Sequence, residues 1–267
     1  MCGTSMASPT ACGIGALLIQ DWRAQYPERA DMANSTLKAL LAHTAADLGN
    51  AGPDLQYGYG SIRTKAAVEH LRGDSHLEAE VSSGETFEFL VITYAGDEQL
   101  QITLAWDDEP AVPLVLPSLV NDLDLVVFAP DGTRQYPWAI DPANPGDPAT
   151  RAAEDHLNNI EQVTVASPQA GVWRVQVAGY AVPVGPQAFS IMATPDLVAC
   201  SSTGIVGLDR AAYPLEGELS VTVVDCDLNL DDTAIDTIDV LVRSDDEPVG
   251  EWLTLVEEAP AASTFSA

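Results

Sequence analysis

From residue 5 to residue 20 small and apolar residues follow one another almost without a polar break: Ala7, Ala11, Cys12, Gly13, Ile14, Gly15, Ala16, Leu17, Leu18, Ile19. A helix that is small and apolar nearly all round suits burial on every side, so the pattern predicts helix Ser5–Gln20 inside a larger α/β core. Ser35–Ala45 reads as an amphipathic helix capped by Asn34 or Ser35. The glycine-rich turn Tyr57-Gly58-Tyr59-Gly60-Ser61-Ile62 leads to a third helix at Thr64–Leu71. After His76 the rhythm changes to alternation of apolar and polar residues, at 85–91, 100–106, 123–128, 171–179 and 187–192, as half-buried strands do. Ala129-Pro130-Asp131-Gly132 is a turn signature between such runs. Four more strand-like runs follow at 204–209, 219–229, 239–244 and 251–255, and 263–267 looks like the start of another.

The expected fold is therefore mostly β with an α-helical N-terminal part. Three units are predicted: helices over 1–73, an antiparallel β-sandwich over 77–195, and a shorter β-module over 198–267. Residues 1–72 would be loosely held or wrongly exposed in isolation, whereas 77–195 would fold alone.

Charge marks the same boundary. The formal net charge is −29, yet residues 1–72 hold six acidic and six basic residues, and no lysine follows Lys65. So acidic a surface argues against nucleic acid or an anionic membrane as partner, because phosphate binding needs Lys and Arg. It suits solubility in a saline or extracellular setting, or the binding of hard cations. No apolar run is long enough to span a bilayer. Residues 1–20 lack the basic n-region and cleavage-like end of a signal peptide, which says nothing about export if the stretch is internal to a longer product.

Ser5 is the candidate for chemistry. At a helix N-terminus its oxygen lies in the positive end of the dipole, beside N–H groups able to receive an oxyanion. Pro9 is tolerated if it falls in the first turn, and Gly3 would let a substrate approach closely. The bland alternative is that Thr4 or Ser5 caps the helix. The whole stretch Gly3-Thr4-Ser5-Met6-Ala7-Ser8-Pro9, followed by its small-residue helix, resembles the nucleophile segment of the subtilisin-like serine peptidases. The resemblance implies that Ser5 is the acyl-forming nucleophile, with the backbone of Gly3, Thr4 and Ser5 serving oxyanion and substrate. Cys2 and Thr10 depart from the residues common in that family.

In that family the Asp, the His and the oxyanion-hole Asn all precede the Ser. Here His43, His70, His76 and His156 all follow it, none in a His-Gly-Thr context, and no Asp lies in an Asp-Thr-Gly context. Without a base a serine hydroxyl is a weak nucleophile, so the chain alone is expected to be inactive.

Further along, Trp106-Asp107, Leu119 to Leu125, Asn158-Asn159-Ile160-Glu161 and Val182 to Gln187 occur in an order similar to the jelly-roll domain of the alkaline, oxidatively stable branch of the same family, which carries structural calcium. Asp122 and Asp124, two apart, would project to one face of a strand, and Asp107 with Asn158 or Asn159 could complete an oxygen cage for Ca²⁺. The alternative is that these groups cap turns and face water.

Residues 198–267 are similar to a truncated immunoglobulin-like module of secreted bacterial proteins, through Asp225-Cys226-Asp227-Leu228-Asn229 and Gly250-Glu251-Trp252-Leu253-Thr254-Leu255. Asp225, Asp227, Asn229, Asp231 and Asp232 lack the glycine and the twelfth-position Glu of an EF-hand. Cys200 and Cys226 would pair in an exported protein, Cys12 is expected as a packed thiol, and the spacing suggests no zinc site. Together these features point to the C-terminal portion of a secreted subtilisin-like endopeptidase, acting on polypeptides with an upstream segment that brings Asp and His. The rival is a non-catalytic, calcium-stabilised adhesion or substrate-docking protein with a vestigial peptidase tail.

Overall fold

The structure is a computed structural model that describes residues 3–73, 75–114, 118–195, 197–198, 205–208, 219–225, 228, 234–244, 249–257 and 264–267. Cys2, Cys200, Cys226, Asp227, Asn229, Asp231 and Asp232 lie outside the described residues, and with them the expected disulfide.

Three helices come first, α1 (Thr4–Gln25), α2 (Asn34–His43) and α3 (Thr64–Arg72). α1 starts at Thr4, a residue earlier than expected, which moves Pro9 beyond the first turn and leaves the Ser5 carbonyl without its helical donor. It also runs on past Gln20, because Trp22 is buried there and Asp21 takes a two-pronged salt bridge from Arg72 at 2.6 and 3.0 Å. Only Gly15, Leu18 and Trp22 of α1 are buried; Leu18 and Trp22 join Leu40, Ala67 and Leu71 of α2 and α3 in one cluster, and Gly15 lies against Leu37. The opposite face is open: Leu17 is 56% exposed, and Cys12, expected inside, lies at the surface because nothing among the described residues covers it.

The central unit is a sandwich of two antiparallel sheets. β1 (His76–Val81), β2 (Thr86–Thr93), β3 (Gln99–Trp106), β4 (Asp122–Phe128), β5 (Arg134–Gln135), β6 (Ile160–Ala166), β7 (Gly171–Ala181), β8 (Gln187–Thr194) and β9 (Leu197–Val198) form sheets of order β1-β8-β3-β6 and β5-β4-β7-β2-β9. Period-two alternation turns Ile102, Leu104, Trp106, Phe189 and Ile191 of the first sheet towards Leu123, Leu125, Val127, Trp173, Val175 and Val177 of the second, making one core. The 129–132 turn closes β4 onto β5, with Gly132 in the left-handed region at φ 81° and its N–H donating to Ala129 O at 2.8 Å. A third sheet, β10 (Ile205–Leu208), β11 (Val221–Val224), β12 (Thr237–Val242), β13 (Glu251–Glu257) and β14 (Thr264–Ser266), has the order β10-β11-β14-β13-β12 around Val221, Val223, Leu255 and Phe265.

α2 lies on the outer face of β3 and β8, and this contact explains why neither expected cap forms. The N-cap position is Ala33, without a side-chain bond; Ser35 Oγ instead meets Ser190 Oγ at 2.7 Å, and Thr36 Oγ1 reaches Ser190 and Glu78. Lys38 Nζ donates to Trp106 O at 2.8 Å and Gln101 Nε2 to His43 O at 2.7 Å. The glycine-rich turn docks on the end of α2: Ala46 and Ser61 exchange backbone bonds, and Gly60, at φ 109°, sits where a Cβ would lie 2.1 Å from Ala46 O.

His43 is sealed in this interface. Its Nδ1 and Nε2 face Thr103 Oγ1 at 3.0 Å and Thr194 Oγ1 at 2.9 Å, and its ring lies 4.6 Å from that of His70. Each threonine hydroxyl can donate to or accept from the ring, so both nitrogens of the neutral imidazole are satisfied in either tautomer. Burial first, and the neighbouring His70 second, push the His43 pKa well below the ordinary value. The unfolded chain therefore takes up a proton below about pH 6.5 that the folded chain refuses, and stability falls as pH drops, by up to about 1.4 kcal/mol per unit. Urea titrations between pH 8 and pH 5 should show a shallower loss for His43→Gln; an unchanged slope would remove His43 as the cause.

Candidate functional site

Two places gather chemistry, the N-terminus of α1 and the end of the sandwich where β3, β4 and β8 meet. At the first, Gly3 is the N-cap, in extended backbone at φ 169°, and no side chain caps the helix. Gly3 O accepts from Met6 N–H at 3.0 Å and Ala7 N–H at 3.2 Å, which leaves Thr4 and Ser5 N–H without helical acceptors. Ser5 is exposed, and its hydroxyl makes no side-chain hydrogen bond among the described residues, so the capping role is not filled by Thr4 or Ser5. A Cβ on Gly3 would meet Ser5 Oγ at an ordinary 3.7 Å, so the local fold places no demand for glycine there.

No described imidazole serves this hydroxyl. His43 is enclosed by its two threonines, and His70 faces it while its Nε2 lies 3.2 Å from Ser75 O. His76 packs 5.1 Å from Trp22, at the far end of α1 and about 25 Å along the axis from Ser5. His156 belongs to the second place.

There the separated sequence motifs converge. Trp106 Nε1 donates to Asn121 O at 2.9 Å, and Asn159 Nδ2 to Trp106 O at 3.0 Å. Asn121, fully buried, donates from Nδ2 to Val184 O and Gln187 Oε1, while Gln187 Nε2 donates to Asp107 O at 3.0 Å. Asp108, which the sequence did not single out, accepts the N–H groups of Val120 and Asn121 at 2.8 and 2.7 Å. These residues act as locks between strands.

Of the four expected ion ligands, Asp122 and Asp124 come together on β4. The exposed Asp107 lies near Lys38, and Asn158 spends its amide on Asp155 Oδ2 at 2.7 Å. In their stead the pair faces His156, whose Nδ1 is 2.9 Å from Asp122 Oδ2 and 3.2 Å from Asp124 Oδ1. Glu161, reaching from β6 to the open edge of β4, accepts Leu125 N–H at 2.8 Å. Burial raises the pKa of Asp124 to about 6, with His156 opposing, and raises those of Asp122 and, well above the ordinary range, Glu161.

Residues 1–60 match the subtilase family. The chain is also 24% identical over 209 residues to the Dictyostelium discoideum serine protease/ABC transporter B family protein tagA, and 35% identical over 94 residues to tagB of the same organism. Those matches cover 71% and 34% of this chain but only 12% and 5% of the relatives, so the chain spans a small part of either. Among solved structures, the Aeromonas hydrophila periplasmic lysozyme inhibitor PliG is 15% identical, covering 45% of this chain and 84% of its own, at a TM-score of 0.25 that is too low to speak for a shared fold. The subtilase match contains Ser5, α1, α2 and most of the glycine-rich turn. Among the described residues no helix is long and apolar enough to cross a membrane.

Proposed function

We propose that the chain is the C-terminal portion of a secreted subtilisin-like serine endopeptidase, with Ser5 as nucleophile and the Asp and His supplied by polypeptide outside these 267 residues. Residues 77–195 are its jelly-roll domain and 198–267 a truncated immunoglobulin-like module. One observation carries this reading: within the subtilase-matching segment, Ser5 stands exposed at a helix N-terminus, its hydroxyl without a hydrogen-bond partner among the described residues and its own N–H without a helical acceptor. In the assembled enzyme Ser5 Oγ attacks the carbonyl carbon of the scissile peptide, its proton passes to the incoming imidazole, and the oxyanion is received by Ser5 N–H. The imidazolium gives that proton to the amide nitrogen, the C–N bond breaks and the amine leaves; water then attacks the acyl-Ser5, releasing the acid and returning the proton to the Ser5 oxygen. The chain alone hydrolyses nothing.

The test is co-expression with the coding sequence that lies upstream in the gene, followed by an organophosphonate serine probe. Labelling at Ser5 in the pair, and none in the chain alone, is expected. No labelling of a folded pair would favour the non-catalytic docking protein. The same preparations report on α1: amides of Ala11–Leu18, half open to solvent now, should exchange fast in the chain alone and slow on assembly. Strong protection in the isolated chain would contradict a missing cover.

A further inference from the structure

The carboxylates at the end of the sandwich are under-compensated. Asp122 and Asp124 are 9% and 7% exposed and Glu161 is wholly buried; Asp122 Oδ1 and Glu161 Oε1 have no hydrogen-bond partner, and Asp124 Oδ1 has only the approach of His156 Nδ1 at 3.2 Å. Asp155, also buried beside them, is spent on Leu157 N–H at 2.9 Å and on Asn158. Against these acids stands one imidazole, a single positive charge at most. Buried carboxylates without that compensation are costly, and a divalent ion supplies what an imidazolium cannot.

The imidazole is also set as a ligand would be. Opposite β4, the pairing steps from Asp122↔Ala181 to Leu123↔Gly179, so Tyr180 is the extra residue of a β-bulge. Its ring stacks on His156 at 4.3 Å and 27°, while Nδ1 faces the two carboxylates. One ligand atom from each of Asp122, Asp124 and His156 lies within 4.8 Å of the other two. Calcium takes six to eight oxygens, and imidazole is no part of that set; two carboxylate oxygens with one imidazole nitrogen suit zinc and its neighbours. The half-exposed His156 leaves a way in from solvent.

We propose that Asp122, Asp124 and His156 bind one zinc-class divalent ion, which ties the β4 edge to the 154–158 loop and holds this end of the sandwich closed. The reading is independent of the peptidase assignment.

The full chain, alkylated at its cysteines and stripped with chelator, is titrated with Zn²⁺ or Ca²⁺ and followed by calorimetry and thermal melting; Co²⁺ is added to a parallel sample for its visible spectrum. One equivalent of Zn²⁺ should bind and raise Tm, and Co²⁺ should give the intense bands of a low-coordinate N/O site. His156→Ala, at a half-exposed position, should keep the circular dichroism of the parent yet bind Zn²⁺ at least about 10-fold more weakly. Asp122→Asn should weaken it likewise. A Ca²⁺ response that His156→Ala leaves intact would overturn the proposal in favour of an oxygen cage. Absence of any stoichiometric ion would overturn it in favour of His156 acting as the counter-charge.

Discussion

Replacing Ser5 by alanine in the assembled enzyme should lower peptide hydrolysis by at least about 10³-fold and abolish labelling by a serine probe, with no change in melting temperature. Both halves follow from the same geometry. The hydroxyl is the group that would bond to the acyl carbon, so no neighbour can substitute for it. It carries no structural duty either, because Gly3 occupies the N-cap and no side chain caps the helix. Had Ser5 been a cap, its loss would cost about 1 kcal/mol of stability and leave chemistry alone. An activity loss with constant stability and a stability loss with constant activity are thus opposite outcomes, and the second would end the nucleophile reading. Gly3→Ala is a finer probe: its Cβ meets only Ser5 Oγ at 3.7 Å, so a fall in activity at unchanged stability would place the demand for glycine on the substrate side.

How much of this could be read in the sequence depended on whether the controlling contacts were local. The alternating strands at 86–93, 99–106, 122–128, 171–181 and 187–194 appear where the period-two pattern put them, because each buries one face against the facing sheet. β1 and β6 were not singled out as strands. In β1 the inward residues Leu77, Ala79 and Val81 alternate with Glu78 and Glu80, a short signal after a linker, and the pairing with β8 is what holds it. The cap of α2 misled for the reason that usually defeats local rules: Ser35 has a local partner in principle, and Ser190, distant in sequence, took it.

The ion-site candidates divide in the same way. Asp122 and Asp124 were visible as a pair because an i, i+2 spacing fixes a shared face on any strand. His156 was weighed only as a possible catalytic base, and Glu161 only as a motif residue. Their place depends on a loop returning across β4 and on a strand of the opposite sheet, which no spacing encodes. The bulge at Tyr180 that steadies His156 is likewise a matter of register between β4 and β7. The acidic Asp107-Asp108 pair shows the limit most plainly: either could have faced the cluster, and backbone donors at Val120 and Asn121 claimed Asp108.

Trp106→Ala should be the most damaging single change in the sandwich, lowering its stability by about 3–5 kcal/mol for the lost ring and cavity. The indole is fully buried in the core, and its Nε1–H is the donor to Asn121 O at 2.9 Å, so truncation also strands a buried carbonyl at a cost of about 1–3 kcal/mol. A domain of this size has only about 5–15 kcal/mol to lose. The residue's backbone extends the damage: Trp106 O receives Lys38 from α2 and Asn159 from the loop before β6. Faster amide exchange in Asn34–His43 should therefore accompany the fall in the urea midpoint. Trp252→Ala, at a residue 69% exposed on β13, should shift stability by no more than about 0.5 kcal/mol and serves as the matched control. Trp106→Phe separates the two terms, since it keeps most of the volume and loses the hydrogen bond. If Trp106→Ala proved as mild as Trp252→Ala, the indole's burial and its bond to Asn121 O would have no energetic meaning, and the end of the sandwich would have to be held by Asn121 and Gln187 without it.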